Sequence, residues 1–112
     1  MDCLFCKIIN GEIPSTKVYE DDKVFVFKDI NPIAPIHWLI IPKQHITSVN
    51  DITSENSSIV AYIFEVASKL AKENNLGNGY RIITNCGDDA GQTVKHLHFH
   101  LLAGTQMGWS IK

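Results

Sequence analysis

Three histidines, His96, His98 and His100, alternate with Leu97, Phe99 and Leu101 near the end of the chain. In an extended strand successive side chains point to opposite faces, so the imidazoles share one face and the apolar residues the other. A single strand histidine is ordinarily structural, but three on one face are costly for a core strand and point to chemistry. Two chemistries fit. His-x-His places two ligands around one metal ion; alternatively, one imidazole attacks as a nucleophile while its neighbours position the substrate. Neighbouring histidines lie roughly 6.6 Å apart along an extended backbone, which leaves His96 and His100 too far apart to share an ion easily. Three different tasks are therefore expected.

The loop before the strand narrows the choice. Gly91-Gln92-Thr93 offers backbone N–H groups, an amide and a hydroxyl, and Asn85 is placed to reach the same region. Such groups hold phosphate oxygens; alone they would pass for a polar hairpin loop. Placed before three histidines, they suggest a phosphate facing an imidazole. Cys3 and Cys6 form a C-x-x-C pair, a standard metal half-site, and on a helix both thiols face the same way. Cys86 has no partner in the sequence.

These groups need a scaffold. The chain has 112 residues, enough for one domain with its own core, and its 45% hydrophobic and 20% charged composition is ordinary for a globular protein. A net charge of -2 gives no basic footprint for nucleic acid, and no apolar run is long enough to cross a bilayer. Neither nucleic acid nor membrane is an expected partner. Met1-Asp2-Cys3 lacks a basic-then-apolar secretory pattern and three cysteines argue against a disulfide framework, so a cytoplasmic location is expected.

Asp2 is placed to cap a short helix carrying Leu4, Phe5, Ile8 and Ile9, stopped by Asn10-Gly11. Strands are expected over 17–20, 23–28, 37–41, 79–84 and 95–103. A long helix starting at Thr53 or Ser54 carries Ile59, Val60, Ile63, Phe64, Val66, Ala67, Leu70 and Ala71 at helical spacing and ends near Asn74, Asn75 and Gly77. The class is α+β: a mostly antiparallel five-stranded sheet with two helices.

The run from Gly91 to Met107, Gly-Gln-Thr-Val-Lys-His-Leu-His-Phe-His-Leu-Leu-Ala-Gly-Thr-Gln-Met, resembles the histidine triad family in its nucleoside-phosphoramidase (Hint-like) branch. Asp2-Cys-Leu-Phe-Cys-Lys-Ile-Ile, Phe27-Lys-Asp-Ile-Asn-Pro-Ile-Ala-Pro-Ile-His37 and Pro42-Lys-Gln-His45-Ile match in order, so the resemblance covers essentially residues 1–112 as a single domain. It implies hydrolysis of purine nucleoside 5'-phosphoramidates such as adenosine 5'-monophosphoramidate. His98 would attack the α-phosphorus, forming a nucleotidyl-histidine that water then cleaves. His100 and Thr93 would hold the phosphoryl oxygens, with Asn85 and the Gly91 and Gln92 backbone completing the cradle. His37 would stand beside the triad, although its apolar strand equally suits a satisfied core histidine. Asp29 would bind the ribose hydroxyls; locally it also reads as a loop-capping aspartate before Asn31-Pro32. Phe5, Ile8, Phe27, Ile30 and Leu39 would form the base slot, residues that otherwise read simply as core.

The resemblance also implies a zinc site of Cys3, Cys6, His45 and His96, structural because four protein ligands leave no open position; reduced free thiols are the alternative. No cofactor would then be required for catalysis. It further implies a homodimer that extends the sheet across a two-fold axis, with Trp109 approaching the neighbouring subunit's site. After Trp109 the chain reads Ser110-Ile111-Lys112, without the proline-rich tail of animal members, and Thr93 stands where many members have serine. Three other readings stay open at this point: a dinucleoside polyphosphate hydrolase, a nucleotide-binding regulatory module with incidental turnover, and a zinc hydrolase with its metal at the triad.

Overall fold

The computed structural model describes residues 3–109. Strands β1 (Lys17–Glu20), β2 (Val24–Lys28), β3 (Ile36–Pro42), β4 (Arg81–Ile83) and β5 (Phe99–Ala103) form one sheet in the order β1-β2-β3-β5-β4. Every neighbouring pair is antiparallel. Helices α1 (Leu4–Ile9) and α2 (Ser58–Glu73) complete the α+β architecture expected from the sequence. None of the described helices is long and apolar enough to cross a membrane.

Strand alternation divides the interior. Val24, Val26, Trp38, Ile40, Phe99 and Leu101 face α2, where they meet Ile63, Val66, Ala67 and Leu70. The residues between them, Phe25, Phe27, Leu39 and Ile41, face α1 and meet Cys3, Phe5 and Ile8. The second core is the smaller one, and it is where the chemistry-bearing side chains collect.

Asp2, expected as the cap of α1, lies outside the described residues. Cys3 is the N-cap, its sulfur accepting from the Cys6 N–H at 3.3 Å. Asn10 closes the helix and Gly11 follows at φ +79°, a conformation that favours glycine. The long helix starts at Ser58 rather than Thr53 or Ser54. There the Thr53 hydroxyl accepts from the Glu55 N–H and the Asn56 side chain from the Thr53 N–H, so residues 53–57 close into a turn first. The helix ends at Asn74, and Asn75 takes a left-handed φ of 59° as the Leu76 N–H returns to Ala71 O. A tyrosine pair fastens α2 to the β1–β2 turn. Tyr19 and Tyr62 both donate to Asp21 Oδ2, and the Lys23 and Val24 N–H groups donate to Oδ1. Burial opposes ionisation of Asp21, but these donors outweigh it and hold the carboxyl down at about 2.

The ladder departs from expectation around the triad. β4 covers three residues instead of the expected 79–84, and β5 begins at Phe99 instead of Lys95, so only His100 of the triad lies in a ladder. Two substitutes replace ladder bonds upstream. The Thr84 hydroxyl donates to His98 O at 2.8 Å, and the Leu97 N–H donates to Ile46 O. Pro42, which ends β3, has no N–H to offer. The alternation nevertheless continues: Leu97 packs in the α2 core, whereas His96 and His98 both pack against Phe5 of α1.

Candidate active site and metal centre

A cleft of about 510 Å³ opens between α1 and the sheet. Phe5, Ile8, Phe27, Ile30 and Leu39, the residues that the family resemblance assigned to a base slot, all line it. Asp29, Thr93, His98 and His100 line it as well. Leu4, Ile13, Pro14 and Val94 also contribute; loop and helix-end apolar residues of this kind carry no periodic signal.

Backbone atoms settle where each ring proton sits. His98 Nδ1 lies 2.7 Å from His96 O. A carbonyl oxygen only accepts, so Nδ1 carries the proton and Nε2 keeps its lone pair. The Ile33 N–H donates to His37 Nδ1 at 3.2 Å, which places the proton of the neutral ring on Nε2. From there it faces His100 Nδ1 at 2.9 Å, with Asp29 Oδ2 at 3.4 Å as a second neighbour. His100 Nδ1 accepts, and its Nε2 is left as a donor. Burial pushes the pKa values of His37 and His98 down. Burial, with His98 and His37 alongside, pushes His100 down to about 4. At neutral pH the three rings are therefore neutral: one presents a lone pair and another presents an N–H.

Asp29 caps its loop and also lines the cleft. Its Oδ1 accepts from the Asn31 N–H at 2.8 Å, the loop cap, while its side chain lines the cleft beside Ile30. His37 is 6% exposed and lies behind His100, a partner to the triad outside the cleft lining.

The expected phosphate cradle requires correction. The Gly91 N–H donates to Asp88 O and the Gln92 N–H to Gly87 O, so both are spent within the loop. Gly91 takes φ +83° to close the 3-10 turn at Asp88–Ala90. The Gln92 side chain is 4% exposed and points inward. Its Oε1 accepts from the Gly87 N–H at 3.0 Å, and its Nε2 donates to Thr47 O at 2.8 Å and Val94 O at 3.1 Å. Gln92 shapes the loop that presents Thr93. Asn85 is half-buried outside the cleft lining; Trp109, expected at the neighbouring subunit's site, is 89% exposed.

Cys3, Cys6, His45 and His96 come together with their donor atoms all within 4.8 Å of one another. His96 Nδ1 lies 3.3 Å from Cys3 Sγ, 3.6 Å from Cys6 Sγ and 3.1 Å from His45 Nδ1, and Cys6 Sγ lies 3.5 Å from His45 Nδ1. Tetrahedral zinc with bonds of about 2.3 Å to sulfur and about 2.0 Å to nitrogen separates its ligands by roughly 3.3–3.8 Å. The donor set fits that ion. His96 Nε2 faces Pro42 O at 2.8 Å, so it carries the proton and leaves Nδ1 free to ligate. Without a cation, burial and the adjacent Cys3 push the Cys6 thiol up to about 11. A bound metal would reverse this, because it stabilises thiolate directly.

His96 thus serves two neighbours. Its ring belongs to the metal set and its carbonyl holds His98. Neither the Pro42 and His96 carbonyls nor the Ile33 N–H could be singled out from the sequence, since every residue carries such groups.

A family model described as scavenger mRNA decapping enzyme C-term binding matches residues 2–112. A HIT family hydrolase from Clostridium thermocellum is similar in structure, with 54% identity, a TM-score of 0.94 and coverage of 99% of this chain and 97% of its own. A histidine triad nucleotide-binding protein from Candida albicans has 40% identity and a TM-score of 0.82, covering 97% of this chain and 83% of its own. A Zea mays protein called 14 kDa zinc-binding protein is 48% identical over 108 residues, 95% of this chain and 84% of its own. With matches of this extent and three wired histidines at the family's motif positions, the chain belongs to the histidine triad family.

Proposed function

We propose that the protein hydrolyses purine nucleoside 5'-phosphoramidates through a covalent nucleotidyl-His98. The observation that carries this reading is the fixed tautomer of His98: Nδ1–H is committed to His96 O, leaving Nε2 as the nucleophile in a ring that lines the cleft. The Nε2 lone pair forms a bond to the α-phosphorus as the P–N bond to the amine breaks, and the departing amine takes up a proton from solvent. Water then attacks the same phosphorus and gives up a proton to solvent, the His98–P bond breaks with its electron pair returning to Nε2, and the nucleoside monophosphate leaves. His100, held as an Nε2–H donor by His37, and the Thr93 hydroxyl stabilise the phosphoryl oxygens as charge develops. Asp29 accepts from the ribose hydroxyls, and the apolar end of the cleft sandwiches the base. A slot of this type favours purines for their area without strongly separating adenine from guanine.

Around this centre, zinc held by Cys3, Cys6, His45 and His96 has a structural role and takes no step in the reaction. It supplies four bonds that fasten α1 to the segments carrying His45 and His96. The chain functions as a single cytoplasmic domain and as a homodimer. Support for the dimer comes from Phe64, 47% exposed on α2, and from β4, which leaves a sheet edge open to a second copy.

The test is rapid-quench incubation with adenosine 5'-monophosphoramidate, followed by mass spectrometry of peptides. An adenylyl adduct on His98 that forms and decays at the turnover rate is expected. No adduct, or an adduct on another residue, refutes the mechanism. Faster turnover of a dinucleoside polyphosphate than of the phosphoramidate refutes the substrate class.

A further inference from the structure

We infer that metal occupancy of the Cys3–Cys6–His45–His96 site controls affinity for the base of the nucleotide, by fixing α1 as a wall of the cleft. This rests on the nucleotide reading above and on the placement of four residues. Cys3 and Cys6 belong to the metal set, and Phe5 and Ile8 line the cleft, all from one turn-and-a-half of helix. Phe5 sits between the two thiols in sequence. Its ring centre lies 5.1 Å from that of His98 at 90°, 5.5 Å from Phe27 and 6.0 Å from His96.

A helix this short does not hold itself; isolated helices under about 12 residues are marginal in water. What docks α1 is the small core, which it shares with β2 and β3, and the meeting of its own Cys3 and Cys6 with His45 and His96. A thiol is only a weak hydrogen-bond donor and acceptor, so without an ion Cys3 and Cys6 have little with which to hold His45 and His96. Four metal bonds supply that hold and connect α1 to distant parts of the chain. Elements with few apolar contacts occupy the low-stability end of a structure and open locally. Without metal, α1 is the element placed to open, taking Phe5 and Ile8 with it. The phosphate end of the cleft has anchors besides the metal set: Thr93 stands on a loop latched by Gln92, His100 is fastened by His37 and β3, and the Thr84 hydroxyl holds the backbone of His98, whose ring is tied to the metal set through His96 O. Metal loss is thereby directed at the base rather than at the phosphate.

The experiment compares protein purified without chelator, with zinc confirmed by elemental analysis, against the same protein after chelation. AMP binding is measured by calorimetry and ribose 5-phosphate binding by NMR titration. Chelation is expected to weaken AMP at least tenfold while changing ribose 5-phosphate less than twofold. Amide exchange is expected to lose protection across 4–13 and keep it in β2 and β3. Phe5→Ala in the zinc-loaded protein is expected to reproduce the AMP loss with zinc retained. Equal AMP affinity in both forms, equal losses for both ligands, loss of protection throughout the sheet, or no stoichiometric zinc would each overturn the coupling. Failure of AMP to bind the zinc-loaded protein would instead overturn the nucleotide reading on which it rests.

Discussion

Replacing Gln92 with leucine removes one accepted and two donated hydrogen bonds from a side chain that is 4% exposed, while leaving a similar volume filled. A typical intramolecular hydrogen bond contributes about 1 kcal/mol net, so the three together amount to about 3 kcal/mol. Carbonyls of Thr47 and Val94 that fail to regain water would add to that cost. For a domain of this size, 1 kcal/mol moves the melting temperature by roughly 4 °C, giving a fall of about 12 °C for Gln92→Leu. The assay is equilibrium urea unfolding, read as a lower midpoint at unchanged slope. The neighbouring Thr93 should also lose its fixed position, so KM for a phosphoramidate should rise. Gln92→Glu keeps the Gly87 bond but turns carboxylate oxygen toward two carbonyls; it should be less stable than Gln92→Leu at pH 7 and recover as the pH falls. A Gln92→Leu protein losing less than 1 kcal/mol and keeping its KM would refute the latch.

Four further outcomes are expected. His98→Gly should lower turnover on the order of 10^3-fold or more while keeping the far-UV circular dichroism spectrum; near-normal rates would remove His98 as nucleophile. Asp29→Asn keeps an oxygen for the Asn31 N–H but loses the charged acceptor, so KM should rise roughly tenfold with little change in kcat, and a 2'-deoxy substrate should show no comparable further loss. Burial holds the folded pKa values of His37, His98 and His100 below the ordinary histidine value of 6.5, so the stability they confer is fully present above pH 6.5 and is lost as pH falls, for His100 down to about 4. The acid limb of a kcat/KM profile should accordingly fall below 6.5, and a limb centred at or above 6.5 would contradict neutral, buried rings. Phe64→Glu on the open face of α2 should convert dimers to monomers by light scattering; an unchanged mass would exclude that face as the interface.

Most of the scaffold was readable because it rests on periodicity. The alternation from Leu97 to Leu101 and the 3.6-residue stripe of α2 both report burial directly. The Cys-x-x-Cys pair was likewise visible as side-chain types, whereas the residues of the apolar slot read simply as core and were separated from it only by the family resemblance. What escaped the sequence was carried by backbone atoms and by loop closure. The late start of β5 depends on a proline at the end of β3 and on a threonine hydroxyl just past β4. The inward turn of Gln92 depends on the Gly91 conformation and on a carbonyl at Thr47, forty-five residues away. Glutamine beside glycine and threonine looks like a ligand in one dimension; only its burial shows that its bonds are already made.

β3 is the partition between two interiors, with Trp38 and Ile40 on one side and His37, Leu39 and Ile41 on the other. One parity therefore governs both the packing against α2 and the partner of His100. Inserting or deleting a single residue between Ile36 and Pro42 would exchange the two sets, send His37 into the α2 core and bring Trp38 to the triad. A loop that carries no residue of the site, such as 48–57, can change in length, whereas this strand can vary only by substitution. Its seven residues act as a reading frame for the site.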